Sequence, residues 1–195
     1  MFIMATVTNQ VRIIAGRWRG SKLVFPDAVG LRPTSDRIRE TLFNWLVGVI
    51  PGARCLDMFA GSGALGFEAA SRGAACVVMI EHNPVIVAAL QASRNRIDDG
   101  VIEVRAADAR SLVGLCDMPF DVVFLDPPFS DPGLLASSVG ALVDGDCVKP
   151  GGRIYLELPR HAPLPELPDD WVQEKAKVAG QVDYYLFRRI SNESG

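Results

Sequence analysis

Only two histidines occur in the 195 residues, and the four cysteines, at 55, 76, 116 and 147, form no Cys-x-x-Cys pair. That scarcity excludes a zinc site of the usual spacing. It predicts reduced, buried thiols in a cytosolic protein, with Cys55 and Cys76 as small core residues of apolar strands. Long apolar runs are missing too. The best is Val77 to Ile80, far short of a membrane span. Met1 to Ala15 has no basic segment ahead of an apolar stretch and no clear cleavage signal, so a cytoplasmic chain is expected and a secreted one is not. There is no internal repeat and no low-complexity tract. What is present is ordinary for one globular domain: 49% hydrophobic and 22% charged residues, which excludes wholesale disorder and suffices for a core without staples.

Charge is unevenly placed. The net charge is −3, yet residues 1–54 carry +5, from Arg12, Arg17, Arg19, Lys22, Arg32, Arg37, Arg39 and Arg54 against three acidic groups, and residues 55–195 carry −8. A basic arm on an acidic body points to a polyanionic partner met from one side. The competing reading is a merely solvated basic face.

The arm reads as a hairpin of Val11–Ile14 and Lys22–Phe25 about the basic tip Gly16-Arg17-Trp18-Arg19-Gly20. Pro26 to Pro33 reads as loop. A helix capped by Ser35 or Asp36 then carries Ile38, Leu42, Trp45, Leu46 and Val49 on one face and ends at Pro51-Gly52. From residue 53 strands alternate with helices. Strands are expected at Arg54–Phe59, Cys76–Glu81, Val101–Ala106, Phe120–Asp126 and Arg153–Leu158, the last after a turn at Lys149-Pro150-Gly151-Gly152. Helices are expected up to Ser71, over Pro84–Ile97 and within Pro132–Val143. This alternation predicts a parallel sheet with both faces covered. Trp171–Val178 and Tyr184–Ile190 have only Ala179–Asp183 between them, so they pair antiparallel. The chain divides into a basic extension with the hairpin, residues 1–34, and an α/β domain, residues 35–195.

Two loops carry chemistry. The first is Leu56-Asp57-Met58-Phe59-Ala60-Gly61-Ser62-Gly63-Ala64-Leu65-Gly66, between a strand and a helix. Gly61-x-Gly63-x-x-Gly66 is a dinucleotide-type fingerprint, and Glu81, 20 residues after Gly61, ends the next strand where ribose hydroxyls are held. The glycines alone do not separate NAD from other adenosyl cofactors. Asp57 does more, because a carboxylate is unhelpful beside a pyrophosphate but suits an ammonium or sulfonium, and S-adenosylmethionine has both. The second loop is Asp126-Pro127-Pro128-Phe129, after the apolar Val122 to Leu125. A carboxylate at the carboxyl edge of a parallel sheet sits where such sheets bind ligands. Two prolines stiffen the loop and remove N–H donors, leaving the Asp126 carboxylate and the Pro127 carbonyl as fixed acceptors beside the Phe129 ring. Two acceptors and a ring suit a planar group with an exocyclic amine. The plainer alternatives are a tight turn and a proline-stiffened turn.

Asp-x-Phe-Ala-Gly-Ser-Gly followed by Asp-Pro-Pro-Phe resembles the class I S-adenosylmethionine-dependent methyltransferases that act on exocyclic amines. Arg12-Ile13-Ile14-Ala15-Gly16-x-Trp18-Arg19-Gly20 and Leu31-Arg32-Pro33-Thr34-x-Asp36-Arg37-x-Arg39-Glu40-Thr41-Leu42-Phe43-Asn44 are similar to one family, the RsmD-type 16S ribosomal RNA guanine-N2 methyltransferases. The match runs from Arg12 to Ile190. The resemblance implies a Rossmann-like α/β fold with a seven-stranded, mostly parallel sheet, an antiparallel last strand, helices on both faces and an N-terminal β-hairpin. It implies a monomeric enzyme of ribosome biogenesis that uses S-adenosyl-L-methionine and no metal. The substrate would be a guanine of small-subunit (16S) ribosomal RNA, in assembled or late-assembling particles. Asp57, Phe59, Ala60, Gly61, Ser62 and Gly63 would line the methionine end of the cofactor. Glu81 would hold its ribose, Asp108 with Ala109 its adenine, and Arg32, Pro33 and Thr34 would close over it. Asp126, Pro127 and Phe129 would be catalytic, and Arg17, Trp18, Arg19, Lys22 and Arg37 would meet RNA. Asp108 also reads as a helix N-cap, and Trp18 as packing between hairpin and domain. His82 reads as a bystander and His161 has no assigned role. Two other functions stay open: an amino-methyltransferase for another base or an amide, such as adenine N6, and an NAD-binding α/β enzyme.

Overall fold

A computed structural model describes residues 8–27, 34–97, 100–111 and 116–191. Two strands, β1 (Thr8–Arg12) and β2 (Lys22–Pro26), form an antiparallel hairpin. The helix α1 (Asp36–Trp45) follows, and Ser35 is its cap, its hydroxyl accepting the Ile38 N–H. Then come β3 (Arg54–Asp57), α2 (Ala64–Ser71), β4 (Cys76–Glu81), α3 (Pro84–Ile97), β5 (Ile102–Ala106), β6 (Phe120–Leu125), α4 (Pro132–Asp144), β7 (Val148–Pro159), β8 (Trp171–Ala179) and β9 (Val182–Arg189). The main sheet has seven strands in the order β5-β4-β3-β6-β7-β9-β8. Neighbours from β5 to β7 are parallel, and β9 is antiparallel to both β7 and β8. The expected mixed sheet with an antiparallel last strand is therefore the observed one.

Strand alternation sorts the core into two layers. Cys55, Val77, Met79, Val122, Phe124 and Tyr155 face the layer that holds the hairpin, α1, α2 and α3. Leu56, Val78, Ile80, Val123, Leu125 and Leu156 face the layer that holds α4. The predicted face of α1 is the buried one, with Ile38, Leu42 and Leu46 inside and Trp45 stacked on Tyr184 at 5.5 Å.

The structure corrects three expectations. Lys149-Pro150-Gly151-Gly152 lies within β7 and not before it, but pairing with β6 jumps from Val148 to Arg153. The turn chemistry shows itself as a bulge in a continuing strand. The first strand is Thr8–Arg12, not Val11–Ile14, because the Ile14 N–H is taken by the Glu68 carboxylate. The cysteines are not all free thiols. Cys116 and Cys147 form a disulfide, with Cα atoms 4.8 Å apart. The Phe120 N–H bonds the Cys147 carbonyl and draws these segments together. A spacing of 31 residues carries no local signal of that proximity. Cys55 and Cys76 are free, as expected.

Candidate active site

The glycine loop is built around a left-handed residue. Gly63 caps α2 at φ +80°, and a Cβ there would lie 2.6 Å from Phe67 Cδ2 and 2.8 Å from Leu90 Cδ2. Only glycine meets both demands. The loop is held from both sides by carboxylates on the sheet. Asp57, at the end of β3, accepts the Gly66 N–H through Oδ2 at 3.0 Å. Glu81, at the end of β4, accepts the Gly61 N–H at 3.1 Å and the Asn83 N–H at 2.8 Å. Phe59, Ala60 and Ser62 complete the loop, with Ala60 and Ser62 buried.

Asp57 is 1% exposed, and its second oxygen, Oδ1, is buried with no hydrogen-bond partner. Burial raises its pKa to about 7; the Gly66 and Phe59 N–H groups work against that rise, and the charges of Asp126 and Glu81 add to it. An unpaired buried carboxylate oxygen is costly unless a ligand completes it. The donor set thus fits a cationic group delivered to this loop, and Glu81 beside it is tied to the backbone through both oxygens.

Asp126 follows β6 directly. Its Oδ2 accepts the Thr34 hydroxyl at 2.7 Å, across 92 residues. Burial raises its pKa and the Thr34 bond opposes that rise. Pro127 is buried, whereas the Phe129 ring is 46% exposed and open to a flat partner. Thr34 stands 7% exposed, so it is a buried donor to Asp126. Arg32 and Pro33 lie outside the described residues.

Asp108, just beyond β5, is gripped by Arg110 through two side-chain bonds of 2.9 and 2.6 Å and by its backbone N–H at 2.8 Å. These bonds hold its pKa down to about 2. It closes a turn, with the Ser111 N–H on its carbonyl, and the helix it was expected to cap falls on residues 112–115, outside the described ones. Ala109 next to it is buried. His82 is largely exposed, with Nδ1 3.3 Å from Glu81.

In the basic arm, Arg17, Arg19, Lys22 and Arg37 are exposed. Trp18 is half-buried against the core with the Arg17 guanidinium 4.3 Å from its ring centroid, so the packing reading of Trp18 is realised. A groove of about 360 Å³, lined by residues including Arg12, Lys22, Thr34 and Asp36, runs between hairpin and α1. It thus connects the arm to Thr34, the donor to Asp126.

Glu68, Ser71 and Arg39 have anchoring roles that the sequence reading did not assign. Glu68 is fully buried on α2 and accepts the Ile14 and Ala15 N–H groups at 2.7 and 3.0 Å. Ser71 accepts the Trp18 N–H and donates to the Ala15 carbonyl. Buried Arg39 bonds the Arg12 carbonyl and Asp36 and lies 3.6 Å from Glu68. A lone acid in the apolar run Ala64-Leu65-Gly66-Phe67-Glu68-Ala69-Ala70 was the available signal for Glu68.

Residues 11–188 match the family described as Conserved hypothetical protein 95. The ribosomal RNA small subunit methyltransferase D of Escherichia coli strain K12 is 45% identical over 93% of this chain and 91% of its own. That of Haemophilus influenzae is 42% identical over 92% of this chain and 94% of its own. The chain belongs to the ribosomal RNA small subunit methyltransferase D family. The solved structure of yhhF from Escherichia coli agrees, with a TM-score of 0.86 at 43% identity, covering 93% of this chain and 99% of that one. The chain is thus an enzyme of a methyltransferase family, as the two loops led one to expect. No helix among the described residues is long and apolar enough to cross a membrane. None of their His, Cys, Asp or Glu clusters could hold a metal ion.

Proposed function

We propose that this chain transfers a methyl group from S-adenosyl-L-methionine to the exocyclic N2 of a specific guanine in 16S ribosomal RNA, acting as a cytoplasmic monomer on assembled or late-assembling small subunits. The observation that carries the reading is the pair of carboxylates at one sheet edge, Asp57 with an unpartnered buried oxygen and Asp126 held by Thr34. In this reading Asp57 meets the cofactor's cationic methionine end, and Phe59 to Gly63 surround it. Glu81 holds the ribose, Asp108 and Ala109 the adenine, and Arg32, Pro33 and Thr34 border the pocket. When bound, the cofactor supplies an electrophilic methyl group on sulfur.

The residues of the chain do the rest. The N2 lone pair of guanine is delocalised into the ring and must be turned toward the methyl group. Asp126 and the Pro127 carbonyl accept its two N–H bonds as nitrogen becomes tetrahedral, and stabilise the positive charge that grows there. Lining up amine, methyl and leaving sulfur supplies much of the remaining acceleration. No strong base is needed before attack, since the proton leaves afterwards to Asp126 or water. The base leaves its stack to enter, and the exposed Phe129 ring stacks on it. Residues 1–34 serve RNA, through Arg17, Arg19 and Lys22 with Arg37 nearby, and Trp18 holds the tip in place. Residues 35–195 carry the chemistry, together with Arg32, Pro33 and Thr34 at the end of the extension.

Labelled S-adenosylmethionine with unmethylated small subunits should yield N2-methylguanosine after digestion. N6-methyladenosine, or methylation confined to DNA, would overturn the base assignment. Replacing Arg17, Arg19 and Lys22 together by alanine should leave cofactor affinity near wild type but weaken substrate binding and flatten its salt dependence, because fewer counterions are released. An unchanged salt series would remove the arm from RNA binding.

The raised Asp57 pKa has a pH consequence. A carboxyl that titrates near 7 folded and near 4 unfolded binds more protons in the folded state. Its protonation stabilises the free protein fully below pH ~4, and that contribution is lost as pH rises through about 7. A cationic cofactor needs the ionised form, so affinity should fall by up to about tenfold per pH unit below 7. Calorimetry in buffers of differing ionisation heat should register proton release at pH 6. Asp57→Asn should abolish both the release and the slope. A wild-type affinity that is flat from pH 5.5 to 8 would contradict this role.

A further inference from the structure

We propose that Glu157 reads the N1–H of the guanine whose amine is methylated, and so selects guanine over other amine-bearing bases; this rests on the guanine-N2 reading above. Glu157 lies near the end of β7, next to β6 in the sheet. Leu125 and Leu156 are paired in parallel register. The next residues along, Asp126 and Glu157, therefore stand side by side at the carboxyl edge, on strands about 4.8 Å apart. Their shared face follows from alternation. Phe124 and Tyr155 point into the layer under α1, and two residues on the chain returns to that side.

Glu157 is 5% exposed, and its Oε2 accepts the hydroxyl of fully buried Tyr155 at 2.8 Å. Burial, and after it the charges of Glu157 and Asp126, push the Tyr155 phenol up. The Tyr155 bond fixes the orientation of the Glu157 carboxylate, a group with about four acceptor positions in all.

The chemistry of the base decides what such a neighbour accepts. In guanine the carbon bearing the N2 amine also bears N1, which carries a hydrogen. With the amine on Asp126, that N1–H is an adjacent, coplanar donor, and a second carboxylate beside the first accepts it. In adenine the ring nitrogen next to the N6 amine is a bare acceptor, and a carboxylate repels it. In 2-aminopurine the N2 amine is kept and N1 has no hydrogen. The Asp-Pro-Pro-Phe loop accepts all three amines alike; Glu157 supplies the distinction.

Small subunits assembled with guanine, 2-aminopurine or adenine at the methylated position test this, using kcat/KM as readout. Wild type should prefer guanine over 2-aminopurine by at least about 10²-fold, because a site built for a donor rejects the analogue that lacks it. Glu157→Gln, whose amide both accepts and donates, should cut that preference to about tenfold or less. Glu157→Asp keeps the charge but withdraws it by one methylene, and should lower the guanine rate and the preference together. If folded variants lose rate equally on guanine and 2-aminopurine, Glu157 is only structural and the proposal fails. If wild type methylates the adenine subunits and not the guanine ones, the guanine reading itself fails.

Discussion

Asp126→Ala should lower the single-turnover methylation rate by about 10²–10³-fold, typical for loss of a preorganised transition-state acceptor. Cofactor affinity should stay within a few-fold of wild type. Asp126 reaches its position from the end of β6, where it continues a fully buried strand, Val122 to Leu125. The Pro127-Pro128 pair behind it leaves the loop little freedom. The Thr34 hydroxyl fixes one carboxylate oxygen at 2.7 Å, and in the proposed mechanism the other takes the amine. That bond also works against the burial that would otherwise keep the carboxyl protonated. Asp126→Asn should therefore be milder, since its amide oxygen still accepts one N–H. Thr34→Val, which removes the donor and keeps the shape, should reproduce part of the loss, roughly the 1.5–3 kcal/mol of a hydrogen bond to a charged group. Rapid-quench measurements on folded variants decide it: a full rate in Asp126→Ala would mean the amine is oriented by something else.

Much of this site was legible because its parts are contiguous in the chain. β4 and α3 stand where Cys76–Glu81 and Pro84–Ile97 were read, since an apolar run ending in an acid, then Asn83-Pro84, is local information. Asp57, Glu81 and Asp126 could be named because each closes an apolar strand, and the carboxyl edge of a parallel sheet is where such groups gather. What escaped the sequence depends on contacts between distant segments. Thr34 was read as a border to the cofactor, and only the fold brings its hydroxyl to Asp126. Glu157 looked like one more residue of an alternating strand until the β6–β7 register set it beside Asp126. The sequence around Trp18 shows neither that its ring packs against the core nor that its backbone N–H bonds Ser71, a contact that spans 53 residues. Cys116 and Cys147 carry no motif, and their pairing follows from how the segment before β6 meets the start of β7.

The hairpin is the least independent part of the chain, and Glu68 is the reason. Glu68→Ala should destabilise the fold by about 3–5 kcal/mol, the usual cost of removing one partner from a buried charge cluster. Glu68 and Arg39 are both essentially inaccessible, at 0% and 1%, and lie 3.6 Å apart. Arg72 adds a 2.7 Å bond on the same helix. Without the carboxylate, Arg39 stays buried beside Asp36 and the Arg12 carbonyl alone, its Nε already unpartnered. The Ile14 and Ala15 N–H groups lose their acceptor at the same time. Gly16 makes the contact tight: at φ +83° a Cβ would collide with the Ser71 carbonyl, so this close approach admits glycine only. The tip bearing Arg17 and Arg19 is therefore pinned to the far end of α2, the helix that the glycine loop leads into. Denaturant unfolding should show the loss. Hydrogen exchange should speed up first at Ile14 and Ala15, well before the β3 and β4 amides. Glu68→Gln keeps an acceptor and the volume, and should cost less than the alanine change. If Glu68→Ala unfolds within 1 kcal/mol of wild type with unchanged exchange at those two amides, the hairpin is held by its apolar contacts, Ile13, Leu23 and Phe25, and not by this carboxylate.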